Sequence, residues 1–391
     1  MGTAPLASAL KQTALNALHQ ARGAKMTNFS GWEMPLQFGK VIEEHMAVRQ
    51  QAGLFDISHM GIVLLSASDY NSALSFLNAL VPQDLTKLTP GKAVYTQFLN
   101  EAGGILDDII IYRLPDTLER DTWHTFTQLL VITNAGNTDT DMAWMETHKH
   151  KAHHKDADIR IELASSNHCL FALQGPSFEA VLKTFSGYNS AQLPKRFHIA
   201  ENRLGDTPVL LSRTGYTGED GVEIIVPEKQ AAFLWEALLK QGETLGCKPI
   251  GLAARDTLRL EAAYPLHGND ITPETTPLEA GLEWSVRLTP ENEFIGKAAL
   301  LKQQSEGLLK RAYCLKIKKK AIARSHDKIY QVDRLIGEVT SGSISPLSNE
   351  AIAMAYLSGP NVFQPGERVE VIIRNQRVEA EIVMRPFYKR L

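Results

Sequence analysis

Residues 93–112 read AVYTQFLNEAGGILDDIIIY. The first seven are rich in residues that favour strands. Asn100 to Gly104 are turn formers, and ILDDIIIY returns to an apolar run, so the stretch is expected to be a β-hairpin closed by glycines. In the second strand, period-two alternation puts Leu106, Asp108 and Ile110 on one face and Ile105, Asp107 and Ile109 on the other. Each carboxylate interrupts an apolar face. An ionised group held there costs several kcal/mol unless it has a partner. Either the aspartates serve a site, or the strand is short and both are solvated at a wet hairpin end.

On the N-terminal side, Leu15, Leu18 and Gly23 predict a short helix over 13–22 with a glycine stop. Val41, Val48 and Ala52 predict a second helix over about 40–52, stopped by Gly53. NFSGWEMPLQFG, 28–39, reads as the loop between them. GIVLLSA, 61–67, is an expected strand, and Ser68 and Asp69 start a helix reaching about Leu80. LLVITNAGN, 129–137, is a strand running into a polar turn. HKHKAHHK, 148–155, is basic and histidine-rich. His150 and His154 have the i, i+4 spacing of a metal pair, but no carboxylate shares their face, and a solvated helix end explains the run as well.

Further on come FALQGP, a helix near 178–185, the strands PVLLSRTGYTG (208–218) and VEIIVP (222–227), a helix from about 229 to 239, and the helix LAARDTLRLEAA (252–263). Strands alternate with helices here. From Leu309 the pattern changes to short strands with frequent turns (YCLKIK, GEVTSGSISP, IAMAYL, GERVEVIIR, VEAEIV), the signature of a small all-β domain. The boundary is expected within LTPENEFIGKAALLKQQSEG, 288–307.

At roughly 150 residues per domain, 391 residues predict two or three domains. The formal charge of -3 makes no electrostatic case for nucleic acid or an anionic membrane. Cys169, Cys247 and Cys314 are widely spaced, which argues against disulfide scaffolds and structural zinc and for a reducing compartment. No apolar run approaches the ~20 residues of a membrane span, and the N-terminus lacks a signal-peptide pattern. A cytoplasmic protein is expected, or a mitochondrial matrix protein if the source is eukaryotic, although the scarcity of arginine before Arg22 makes the N-terminus a poor match to a transit peptide.

Glu223 interrupts VEIIVP just after GYTGEDG, whose glycines allow tight turns beside a ligand. A buried strand carboxylate suits a planar pair of donors, a guanidinium or the amino and ring N–H groups of a pterin; an internal ion pair with Arg255 or Arg213 is the structural alternative. Arg255 and Arg259 share one helix face, with Asp256 and Glu261 nearby. The default for Tyr95, Tyr216 and Trp284 is core packing. P-loop, GxGxxG, HExxH and GxSxG motifs are absent. The remaining carboxylates, amides and aromatics suit chemistry performed largely by a bound cofactor.

The ordered words GWEMPLQF, GLFDISHM, NEAGGILDDIIIY, VITNAGN, FALQGP, SRTGYTGEDGVEIIVP, GLAARDTLRLEAAYPLHGNDI, TPLEAGLEW, GEVTSGSISP and MRPFY run from about Leu10 to Tyr388. Together they resemble the aminomethyltransferase, or T-protein, family of the glycine cleavage system. The resemblance implies an α+β fold: a three-domain cloverleaf with two mixed α/β lobes and a C-terminal β-barrel around a central folate-binding channel. Residues 1–300 would form the folate-binding region, with the first lobe discontinuous and the second spanning about 55–150, and residues 301–391 the barrel.

The implied reaction passes an aminomethyl group from the lipoyl sulfur of the H-protein to tetrahydrofolate, giving methylenetetrahydrofolate, ammonia and the dihydrolipoyl arm. The family's catalytic aspartate falls on Asp108, positioned to hydrogen-bond the folate amine and stabilise cationic charge. Asp107 then reads as structural. Glu223, Asn134, Arg255, Tyr95, Met60, Tyr216 and Trp284 fall on folate-binding positions, and Tyr388 is a further candidate from the C-terminal tail. Tetrahydrofolate is the expected co-substrate, with no metal, and a lipoylated H-protein the expected partner of a monomeric enzyme, without nucleic acid or membrane. The basic run KIKKKAIAR, 316–324, could meet an acidic partner or be a solvated face. A non-enzymatic folate-binding module of the same fold is the main rival. Its cysteine word KGCYxGQE is missing where RTGYTGEDGVE stands at 213–223. A folate-dependent demethylase would ordinarily follow a flavin domain, for which the chain is too short.

Overall fold

The computed structural model describes residues 9–116, 128–149, 158–359 and 362–390. A small N-terminal sheet has the order β1-β3-β2, with β1 at Lys11–Gln12, β2 at Lys25–Phe29 and β3 at Trp32–Gln37. A six-stranded sheet of order β11-β12-β13-β10-β4-β14 contains β4 (Ala52–Asp56), β10 (His168–Gln174), β11 (Ile199–Leu204), β12 (Thr207–Ser212), β13 (Gly221–Pro227) and β14 (Cys247–Pro249). Between β4 and β10 the chain builds a five-stranded sheet of order β6-β7-β8-β5-β9: β5 is Gly61–Ser66, β6 Ala93–Leu99, β7 Ile105–Arg113, β8 Leu129–Thr133 and β9 Arg160–Leu163. The six strands β15 (Arg311–Ile317), β16 (Lys328–Gln331), β17 (Arg334–Ile344), β18 (Ala351–Leu357), β19 (Arg368–Ile373) and β20 (Gln376–Val383) close into a barrel. The architecture is α+β with a C-terminal barrel, as expected.

The helices are α1 (Asn16–Ala21), α2 (Val41–Gln50), α3 (Tyr70–Asn78), α4 (Thr138–Lys149), α5 (Phe178–Lys183), α6 (Glu228–Gly242), α7 (Leu252–Glu261) and α8 (Lys297–Glu306). Of these, α5 and α6 cover the outer face of the six-stranded sheet and α3 and α4 that of the five-stranded sheet, while α2 and α7 pack into the core between the sheets. On β13, Val222, Ile224 and Val226 pack with Leu234, Trp235 and Leu238 of α6. Ile225 instead joins Ile62, Tyr112, Leu130 and Ile132 of the other sheet, with Ala254 and Leu258 of α7. Ile109 and Ile111 of β7 pack with Phe76 and Leu77 of α3 and Met145 of α4. The two sheets therefore share a core. Glu223 lies on the β13 face that meets it, and Asp108 on the β7 face of Ile110 and Tyr112, so both carboxylates face the space between the layers.

The hairpin β6–β7 forms as predicted, with Gln97 opposite Asp108 and Phe98 opposite Asp107. Asn100 Oδ1 accepts from Ala102 N at 3.0 Å and Gly104 N at 2.9 Å, which ties the turn. A Cβ on Gly104 would stand 1.7 Å from the Pro273 carbonyl oxygen. The tip must therefore be bare to meet the 272–275 segment, where Ile105 N donates to Thr275 O at 3.0 Å.

Several expectations are corrected. The segment 28–39 is mostly strand: β2 and β3 form a hairpin through Ser30 and Gly31, whose φ angles of 50° and 82° are those of a type I′ turn. Pro35 disguises β3, and the pairing shifts register beside its partner Met26. Gly53 is not a helix stop but a strand residue, where a Cβ would stand 2.4 Å from Val48 Cγ2 and 2.6 Å from Ile250 Cγ1. The strand predicted over 208–218 ends at Ser212, leaving 213–220 as a loop. His148 is buried, packs its ring at a tilt against Trp144 with centroids 4.1 Å apart and bonds the Trp144 carbonyl at 2.8 Å, so it does not belong to a solvated helix end. His150 and His154 lie outside the described residues. Among those residues, no helix is long and apolar enough to cross a membrane.

Candidate active site

Asp108 sits near the start of β7, half-buried beneath two neutral donors. Tyr95 Oη donates to its Oδ2 at 3.0 Å from the adjacent strand, and Asn134 Nδ2 donates to its Oδ1 at 2.8 Å from the turn after β8. Burial and the neighbouring charge of Asp107 push its carboxyl up to about 7, against the pull of these two hydrogen bonds. Near neutrality it can therefore hold or release a proton. The Tyr95 hydroxyl is raised well above its ordinary range by burial and by Asp108, so it stays a donor.

Asp107 is fully buried on the opposite face. Asn134 N reaches its Oδ2 at 2.9 Å, Asn134 Nδ2 its Oδ1 at 2.9 Å, and Asn137 Nδ2 also donates to Oδ1. Asn137 has a second acceptor in His267 Nδ1 at 2.9 Å, and His267 Nε2 faces Ile105 O at 3.3 Å. Asp107 thus anchors the Asn134 amide that touches Asp108.

Glu223 is buried on β13, opposite Ala172 and Ser212. The Thr214 hydroxyl donates to its Oε2, and Thr214 in turn meets Ser212 Oγ at 2.7 Å and Tyr112 Oη at 3.2 Å. Burial raises the Glu223 carboxyl, with the Thr214 bond and the charge of Arg255 opposing the shift. The predicted alternative of an internal ion pair is not formed: Arg213 binds Asp220 at 2.7 Å, and Arg255 has no salt bridge among the described residues. The Arg255 guanidinium lies over the Tyr216 ring, 4.9 Å from its centroid, with no side-chain hydrogen bond among those residues. Arg259 instead turns to Asp270, at 2.6 Å, and Asp256, at 2.7 Å.

Tyr216 donates to Pro265 O and stacks with Tyr264 at 5.9 Å. Trp284 departs from the core-packing default: it is 53% exposed and stacks on Tyr95 at 5.5 Å and 25°. The pair makes a flat wall beside Asp108. Met60 is partly buried against the inter-sheet core. Its neighbour His59 was not singled out from sequence. It is buried with Nδ1 unpartnered, stands edge-on to Phe29, and is held near 4 by burial and the Arg255 charge.

Tyr388 lies against the 213–220 loop, with its Cδ1 3.8 Å from where a Cβ on Gly218 would stand. Its ring covers Arg49 at 4.0 Å, where burial and Glu219 push its hydroxyl up to about 12. Sequence reasoning also missed Asn137 and Thr214. Asn137 had a signal in its spacing of three from Asn134 across the start of a helix.

Residues 15–290 match the GCVT N-terminal domain, and residues 310–389 match the glycine cleavage T-protein C-terminal barrel domain. The chain belongs to the glycine cleavage T-protein family. It is 42% identical over 381 residues to an aminomethyltransferase of Desulfitobacterium hafniense, covering 97% of this chain and 99% of that one. It is 43% identical over 391 residues to an aminomethyltransferase of Prochlorococcus marinus, covering 98% of each. The crystal structure of the glycine cleavage system aminomethyltransferase T from Bartonella henselae matches with a TM-score of 0.83 at 34% identity, covering 97% of this chain and 98% of that one.

Proposed function

We propose that this chain, an aminomethyltransferase of the glycine cleavage system by family, passes the aminomethyl carbon from a lipoylated H-protein to tetrahydrofolate. The observation that carries the reading is the Asp108 carboxyl, held by Tyr95 and Asn134, beside a flat aromatic wall and in the same inter-sheet space as a buried acceptor, Glu223, and an arginine without a salt bridge among the described residues, Arg255. These groups suit a pterin. Its amino and ring N–H groups are donors for Glu223, its carbonyl oxygen an acceptor for Arg255, and its ring a partner for Tyr95, Tyr216 and Trp284. Met60 and Asn134 complete the proposed lining, and Tyr388, whose ring covers Arg49 beside the 213–220 loop, is a further candidate.

Asp108 would accept a hydrogen bond from the reacting amine of the co-substrate. Its negative charge would then steady the positive charge that develops as the carbon leaves sulfur. Asn134 and Tyr95 keep the carboxylate aimed. The transfer requires no metal in this scheme. We propose a neutral-pH reaction in the cytoplasm, with the partner's lipoyl arm entering from outside. The run 316–324 is a weak docking candidate, since Lys316 is bound to Glu350 at 2.8 Å and Lys318 lies 3.8 Å from Glu379 and Glu381.

The test is tetrahydrofolate titration followed by turnover with aminomethyl-loaded H-protein. Asp108→Asn should bind folate yet lose roughly 10² to 10⁴ in transfer rate. A loss under about tenfold with folate still bound would remove Asp108 from the chemistry. The rival, a folate-binding module, predicts binding with no ammonia released by the unaltered protein.

A further inference from the structure

Behind the Asp107–Asp108 pair lies a third carboxyl that the proposed chemistry does not use. Asp141, in the first turn of α4, is 1% exposed, and its Oδ2 has no hydrogen-bond donor. Its carboxyl meets that of Asp107 and feels the charge of Asp108. Asn134 and Asn137 are committed to Asp107, and Tyr95 and Asn134 to Asp108, while the buried Thr96 hydroxyl, Gln97 Nε2 and Trp144 Nε1 make no hydrogen bond to any of the three acids. Among the described residues no group of acids is arranged to share a metal ion.

Three carboxylates this close cannot all be ionised in a buried setting without a cation. Asp141, whose buried Oδ2 lacks a donor, is the one that gains most by keeping its proton, because a carboxylic acid supplies its own donor. We propose that Asp141 is a positioning residue that stays protonated and donates its O–H to Asp107, so that only one charge stands behind Asp108. The proposal rests on the reading of Asp108 as the reacting acid. In it, Asp141 sets the pH at which Asp108 ionises without touching substrate.

Burial and the Asp107 charge together push the Asp141 carboxyl up to about 10, in keeping with this assignment. The start of α4 favours negative charge, but only weakly. Asp108 is faced by Asp107 on its own strand, Tyr95 on β6, Asn134 after β8, Asp141 on α4 and Tyr216 in the 213–220 loop. Arg255 and Arg259 lie behind Tyr216, and His267 behind Asn137. None of the cations among these pairs with Asp141 within salt-bridge distance.

The experiment compares Asp141→Asn and Asp141→Leu in the full chain. The amide of Asp141→Asn still donates to Asp107, so the acidic midpoint of the transfer rate against pH should stay where it is. Asp141→Leu removes the donor and leaves the Asp107 charge unshielded, moving that midpoint up by roughly half a unit to one unit. Were Asp141 ionised, both variants would delete a negative charge and move the midpoint down. A merely structural Asp141 would lower Tm and leave the midpoint alone; either result overturns the proposal. An infrared difference spectrum of ligand-free protein at about pH 9, where ordinary carboxyls are ionised, supplies a readout independent of activity. The C=O band of a protonated acid should be present in the unaltered protein and absent from Asp141→Asn. Its absence from both refutes the assignment, and because no folate is involved it does so whether or not the protein is a transferase.

Discussion

Asp108 and Glu223 are acids whose burial works against their charge, and each retains it only through particular neighbours. For Asp108 the folded-state value, about 7, exceeds the ordinary 3.8, so between those pH values the folded chain holds more protons than the unfolded one. Stability must therefore fall as pH rises through that window. Asp108→Asn should melt higher than the unaltered protein near pH 8 by about 2–4 °C for each kcal/mol recovered, and the difference should vanish near pH 4. Differential scanning calorimetry across the window checks this. A lower Tm for the variant near pH 8 would mean that the carboxylate is a net structural asset. Glu223→Gln keeps the shape of the side chain but loses the charged acceptor, so folate should bind about 10- to 100-fold more weakly. An unchanged dissociation constant together with a lower Tm would make Glu223 a structural partner only.

At the scale of elements, the hairpin β6–β7 was legible because alternation, Asn100 and the glycines all point to one conformation. Alternation also separated Asp107 from Asp108. What it could not supply is which face meets another layer, since that depends on β13, more than a hundred positions along the chain. The N-terminal hairpin was missed because Pro35 reads as a strand breaker, and tertiary pairing on both sides of β3 overrides that local signal. The hairpin tip offers a direct test. Gly104→Ala should destabilise the fold by roughly 2 kcal/mol or more, because its Cβ meets backbone rather than a flexible side chain. It should also slow transfer in the protein that remains folded, since Asp108 lies four residues on. Urea melts and turnover of the variant would show an unperturbed tip if both stayed within error.

Across the whole molecule, one buried charge cluster ties the lobes to the barrel. Arg49 of α2 binds Glu261 at the end of α7 at 2.8 Å and Glu219 of the 213–220 loop at 2.9 Å. His45 lies 3.0 Å from Glu261, and Ser345 from the barrel donates to it. Tyr388 N binds the Glu261 carbonyl at 2.8 Å, bringing the tail over the same cluster. Burial alone would raise Glu261, but His45, Ser345 and Arg49 hold it at about 2. Its folded value is depressed, so the stabilisation is present above about 4.5 and lost as pH falls toward 2. Glu261→Gln should cost about 3–5 kcal/mol at neutral pH by leaving Arg49 short of a partner. The gap in Tm from the unaltered protein should close as the pH is lowered through that range; a gap independent of pH would place the loss in packing instead. Nothing in the order of residues joins Arg49 to Glu261 or Asp141 to Asp107. The sequence by itself determined most of the helices, the β6–β7 hairpin, the barrel and the family, because local patterning and ordered motifs carry those. The tertiary structure alone decided which carboxyl has donors, which arginine is left unpaired and where Tyr388 lies, because burial and hydrogen-bond partners depend on how distant elements pack.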